Sequence, residues 1–85
     1  MLQVSNAFEL RRFDRTQPDT LVAEASDLGI SRPTGYITIR SHHTNRFCEF
    51  SIEKIDKDRE GDVAGWWFIP LDDNHPIKHV LIIND

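Results

Sequence analysis

Gly65-Trp66-Trp67-Phe68-Ile69-Pro70-Leu71 holds both tryptophans of the chain and its longest apolar run. In a strand, successive side chains point to opposite faces. Trp66 and Phe68 then share one face, and Trp67, Ile69 and Leu71 share the other. Neither face reads as wet, and a strand apolar on both sides is usually covered on both. The competing helix has room for about one turn, because Gly65 and Pro70 bound it. The strand is therefore the reading taken forward, and what covers its second face becomes the question for the rest of the chain.

Working outward toward the C-terminal side, Asp72 to Pro76 is a turn signal. His79-Val80-Leu81-Ile82-Ile83 follows as a strand that is also apolar on both faces. On the N-terminal side, Phe47 to Ile55 alternates cleanly. Cys48, Phe50 and Ile52 point inward, and Glu49, Ser51 and Glu53 point to water. The charged stretch Asp56 to Asp62 joins it to the tryptophan strand as a hairpin loop, with Gly61 as its flexible residue. Tyr36-Ile37-Thr38-Ile39-Arg40 is β-branched and alternating, with Ile37 and Ile39 inward. Ser41 to Arg46 is a polar turn.

The N-terminal third is less decided. Met1 to Asn6 reads as a loose lead-in, and Phe8-Glu9-Leu10 opens a strand ending near Phe13. Thr16-Gln17-Pro18-Asp19 is a turn. Residues 20–28 fit two patterns. A helix would take Asp19 or Thr20 as N-cap, Leu21, Ala25 and Leu28 as its apolar set, and Gly29 just past its end. A strand would place Leu21, Ala23 and Ala25 on one face, and the small residues would suit close packing under tryptophan. The strand is slightly preferred. The fold expected is all-β, a small single-domain antiparallel barrel or two-layer sandwich spanning residues 1–85. A β-rich α+β domain with one helix near residues 20–28 is the alternative.

Composition bounds the function. A chain of 85 residues makes one domain and buries only about 60–65% of its unfolded surface, so its core is thin. Apolar residues at 39% and charged residues at 28% fit a globular protein and not a disordered one. Met1 to Ala7 lacks a basic start and a long apolar core, so no signal peptide is expected. No run reaches the length of a membrane helix. The single cysteine, Cys48, excludes an intrachain disulfide and points to a reducing, cytoplasmic setting. The net charge of −4 is uneven. Residues 1–46 hold six Arg against five Asp and Glu, and residues 47–85 hold four Lys and Arg against nine Asp and Glu. The acidic back half argues against a nucleic-acid surface there.

Candidate chemistry is sparse. Asp56, Asp58 and Glu60, with Gly61 after them, match the front of a calcium loop, where hard oxygens wrap a hard cation. The back of that pattern fails, because Trp67 stands where a bidentate glutamate is needed. No metal is therefore expected, and a solvated hairpin tip is the simpler reading. His42, His43, Cys48, His75 and His79 are types that bind zinc, but the strand pattern turns Cys48 inward and Pro76 breaks any helical pairing of His75 with His79. Cys48 acts as a nucleophile only if a histidine approaches it. No nucleophile elbow or phosphate-cradling glycine loop is present, so no catalytic residue and no cofactor are assigned. Tyr36, Arg40, Arg46 and Phe47 are the residues a nucleic-acid-binding barrel would use. Arg11, Arg12 and Arg15 read as a solvated rim, or more sharply as a site for an acidic partner or a phosphate.

At Ala23-Glu24-Ala25-Ser26-Asp27-Leu28-Gly29, at Gly65-Trp66-Trp67-Phe68-Ile69-Pro70 and at Ile83-Asn84-Asp85, the chain resembles short uncharacterised proteins of bacterial and phage genomes. The resemblance covers about a third of the chain. It implies a strand at residues 20–28 and a structural or accessory role, and it brings no activity or cofactor. The expectation that follows is a non-catalytic interaction or structural module that pairs with itself as a homodimer. Its interface candidates are Trp66, Trp67, Phe68, Ile69, Arg11 and Arg12. Nucleic acid and membrane are not expected partners. A small nucleic-acid-binding barrel, and a metal-binding or enzymatic domain, are the alternatives.

Overall fold

The computed structural model describes residues 7–41 and 44–85. Six strands occur among them: β1 (Ala7–Leu10), β2 (Thr20–Glu24), β3 (Tyr36–Ser41), β4 (Phe47–Lys57), β5 (Val63–Pro70) and β6 (His79–Ile83). They form one sheet in the order β1-β3-β4-β5-β6-β2. The expected lead-in at Met1–Asn6 lies outside the described residues, as do His42 and His43. The fold is a small all-β domain whose sheet is nearly closed into a barrel.

The centre of the sheet is a meander. β3 pairs antiparallel with β4, β4 with β5, and β5 with β6. The two outer strands pair parallel, β1 with β3 and β2 with β6, so the sheet is mixed. β6 arrives beside β2, which follows β1 directly in the chain, and this brings the far edge of the sheet back toward β1. There, Phe13 forms an antiparallel bridge with Leu21. The Val22 N–H donates to the Arg12 carbonyl at 2.9 Å, and the Asp14 N–H donates to the Thr20 carbonyl at 2.8 Å. These bonds close the barrel at one end of the seam.

Alternation decides what goes inside. Ile37 and Ile39 of β3, Phe50 of β4, Trp66 and Phe68 of β5, Val80 and Ile82 of β6, and Leu21 and Ala23 of β2 are all buried. Cys48 and Ile52 pack against this core from partly buried positions. Two register shifts, between Ile52 and Lys54 and between Asp56 and Lys57, bend the long strand β4. Such bulges add twist, which a small barrel needs. Ile77 and His75 fill one end. Both are buried, and the Ile77 N–H donates to His75 Nδ1 at 3.0 Å. The His75 ring meets Phe50 edge-on, with centroids 5.3 Å apart.

Residues 20–28 satisfy both sequence patterns in turn. Thr20–Glu24 is strand, and Ala25–Leu28 is one turn of helix, α1. Gly29 ends it in the left-handed region at φ 70°, a conformation glycine adopts without steric cost. Glu24 gives α1 no side-chain cap. The carboxylate of Asp85 does so instead, accepting the Ser26 N–H at 3.0 Å and the Ser26 hydroxyl. The segments that carry the sequence resemblance thus meet in β5, β6, β2 and α1. Gly65 is set by close approach: a Cβ there would stand 2.9 Å from the Ile82 carbonyl oxygen and 3.3 Å from Leu81 Cδ1.

Candidate functional site

Closing the barrel around Trp66 and Phe68 puts the other face of β5 on the outside. Trp66 is 5% and Phe68 0% exposed. This corrects their place among the interface candidates, because a side chain inside the barrel cannot meet a partner. Trp67 and Ile69 are half-buried on the outward face. Leu71, beyond the strand end, is exposed.

Register extends this outward row. Trp67 lies opposite Leu81 of β6, and Leu81 lies opposite Val22 of β2. Ile83, two residues from Leu81, lies opposite Gly65. Trp67, Ile69, Leu81, Ile83 and Val22 are each half-buried, and they form one apolar stripe across three adjacent strands. β5 and β6 make their contacts with their sheet neighbours, and α1 packs on β2. Among the described residues, no second layer of helix or strand lies over the stripe.

Its two ends are charged. At the β4 end, Lys54 lies opposite Trp67 and its Nζ sits 5.4 Å from the ring centroid. The ammonium is attracted to the ring's negative face. His79, on β6 and on the same face as Leu81, meets the same ring edge-on at 5.9 Å, and Glu53 of β4 reaches across β5 toward it, its Oε1 standing 3.9 Å from His79 Nε2. At the β2 end, Arg12 Nη2 donates to both carboxylate oxygens of Glu24 at 3.0 Å. Arg12 is thereby engaged with a carboxylate of its own chain. Arg11 lines a cleft of about 340 Å³ between β1 and β2, where the seam opens beyond the Phe13–Leu21 bridge. Arg15 lines a second cleft of about 380 Å³ with Arg12, Phe13, Asp14 and Val22, at the end of the stripe. Asp14 is held below the ordinary aspartate range by the Thr16 hydroxyl and then by the Thr16 N–H.

The other candidates separate in space. Tyr36 and Phe47 are exposed, and Arg40 lies 5.2 Å from the centroid of the Phe47 ring. Arg40 also donates from Nε to Glu9 at 2.9 Å, so a carboxylate shares that face. Asp58 Oδ1 accepts the Glu60 and Asp62 N–H groups at 3.0 and 2.9 Å, so this oxygen braces the hairpin tip. Asp56 points from β4 and Glu60 from the tip, both exposed. Cys48 sits against the core, His75 inside the barrel end and His79 on the outer face. Among the described residues, no group of three His, Cys, Asp or Glu side chains converges to hold a metal ion. No described helix is long and apolar enough to cross a membrane.

The sequence reading missed two features. Ile77 fills the barrel end although it follows the Asp72–Pro76 turn directly. Phe13, Pro18, Asp19 and Pro76 gather around it from parts of the chain about sixty residues apart. An isolated isoleucine between Pro76 and Lys78 was the available signal for the first, and nothing local signalled the second. Comparison of the chain with protein-family models, with curated proteins and with solved structures finds no match.

Proposed function

We propose that this protein is a non-catalytic interaction module that pairs with a second copy of itself through the outer face of β5, β6 and β2. The observation that carries the reading is the stripe of Trp67, Ile69, Leu81, Ile83 and Val22. Contiguous exposed apolar patches mark interfaces, and tryptophan is enriched where binding energy concentrates. Lys54 and the Arg12–Glu24 pair flank the stripe on its two sides, as interfaces keep charge at the rim, while His79 lies within the face beside Trp67. A two-fold dimer is the commonest way for such a face to find cover. Cys48 as a reduced thiol suits a cytoplasmic setting, and a structural or accessory role fits the resemblance to short bacterial and phage proteins. Glu9 of β1, opposite Arg40 of β3, and Glu49 of β4 weigh against a nucleic-acid surface across these strands.

Acrylamide quenching of tryptophan fluorescence tests the pairing. At nanomolar protein, the Trp67 indole is reached by the quencher and Trp66 is shielded. At tens of micromolar, both are shielded. Quenching that does not change with protein concentration counts against the dimer.

A further inference from the structure

Phe13, Pro18, Asp19, Pro76 and Ile77 line an open cleft of about 400 Å³, of which Trp67 and the other stripe residues form no part. Ile77, 2% exposed, is its most buried residue, and Phe13 leaves 36% of its surface open. Two backbone bonds tie its walls together. The Asp19 carbonyl accepts the Lys78 N–H at 2.9 Å and the His79 N–H at 3.3 Å. Asp19 is the one charged side chain in the lining. Its carboxylate takes the Thr20 hydroxyl at a long 3.4 Å, which leaves acceptor capacity on both oxygens. Lys78 is turned elsewhere, its Nζ donating to the Asp73 carbonyl at 3.1 Å.

We propose that this cleft binds an arginine side chain presented by a protein partner. Three features of the lining match that side chain. Pro18, Pro76 and Ile77 suit an aliphatic stem. The flat guanidinium stacks on an aromatic face, which Phe13 supplies. Asp19 supplies the carboxylate that a guanidinium fork meets with two hydrogen bonds. A neutral alkyl group would desolvate Asp19 without replacing its hydrogen bonds to water. A carboxylate ligand would be repelled by it. The cleft's volume lies within the range of small-ligand sites. This proposal does not depend on dimerisation, so either fails without the other.

Amide chemical shifts followed by NMR test it, with n-butylguanidinium as the probe and n-butylammonium and n-butanol as comparisons. Butylguanidinium saturates shifts at Asp19, Ile77 and Lys78, with a dissociation constant on the order of 10 mM for so small a ligand. Butylammonium binds several-fold more weakly and butanol does not saturate. Asp19→Asn, which keeps the shape of an exposed side chain, weakens the guanidinium by about fivefold or more and leaves the melting temperature in place. Phe13→Leu weakens it without abolishing it. Absence of saturation up to about 100 mM, unchanged affinity in Asp19→Asn, or butylammonium or butanol binding as tightly as butylguanidinium overturns the assignment.

Discussion

Replacing Phe50 with alanine probes the strand phase on which the barrel interior rests. Phe50 is 1% exposed, lies opposite Ile37 on one side and Pro70 on the other, and takes the edge of the His75 ring. Truncation removes the ring from a site walled by strands and by the His75–Ile77 plug, so little can collapse into the space. The cost for a buried phenylalanine is about 3–5 kcal/mol. Eighty-five residues correspond to a total stability of about 4–13 kcal/mol, so this one change removes roughly a quarter of it or more. Urea unfolding followed by tryptophan fluorescence measures the loss. With a slope of about 1 kcal/mol per M, the midpoint falls by roughly 3 M or more. Glu49→Ala is the internal control, because Glu49 is exposed on the opposite face of the same strand. It changes stability by no more than about 0.5 kcal/mol. Equal losses in the two variants would refute the phase and with it the assignment of inner and outer faces.

Gly65→Ala, whose Cβ would stand 2.9 Å from the Ile82 carbonyl oxygen, costs about 1–3 kcal/mol by urea unfolding. Gly35→Ala, with nothing within 4 Å, costs none, and the reverse order would contradict the close β5–β6 approach. The Asp85 carboxyl is held below its ordinary value of 3.8 by the Ser26 hydroxyl and then by the Ser26 N–H. A folded pKa lower than the unfolded one gives stability that is present above the unfolded pKa and lost as pH falls through the folded one. Thermal melts from about pH 5 down to about pH 2 therefore show the wild type losing more stability than Asp85→Asn, and parallel losses would remove Asp85 as the cap of α1.

The four strands β3 to β6 were legible because their side chains alternate. Ile37 and Ile39, Phe50, Trp66 with Phe68, and Val80 with Ile82 each sit on the face that period two assigns. Residues 20–28 were legible only as an ambiguity. Leu21 and Ala23 alternate as a strand, while Gly29 in the left-handed region ends a single helical turn that four residues of pattern cannot announce. The parallel pairings of β1 with β3 and of β2 with β6 were not legible, because partners far apart in sequence are chosen by closure of the whole sheet. The candidate site was half legible. Period two separated Trp67 and Ile69 from Trp66 and Phe68, but it could not say which pair faces inward. In the folded chain Leu21, Ala23, Ala25 and Ile77 share one buried core with Trp66 and Phe68, and Trp67 stays outside it.

The claim that the Trp67 face is a self-association surface is tested most directly by sedimentation equilibrium at tens of micromolar protein. Wild type and Trp67→Ser are compared under the same conditions. The exchange removes the largest apolar side chain of the stripe and leaves Trp66, Phe68 and the barrel interior in place. One chain has a mass of 9.9 kDa. The wild type is expected at twice that mass and the variant at the single-chain value, with the variant's far-UV circular dichroism unchanged. A wild-type mass of 9.9 kDa across the concentration range would contradict the account, as would a Trp67→Ser variant that remains folded and dimeric.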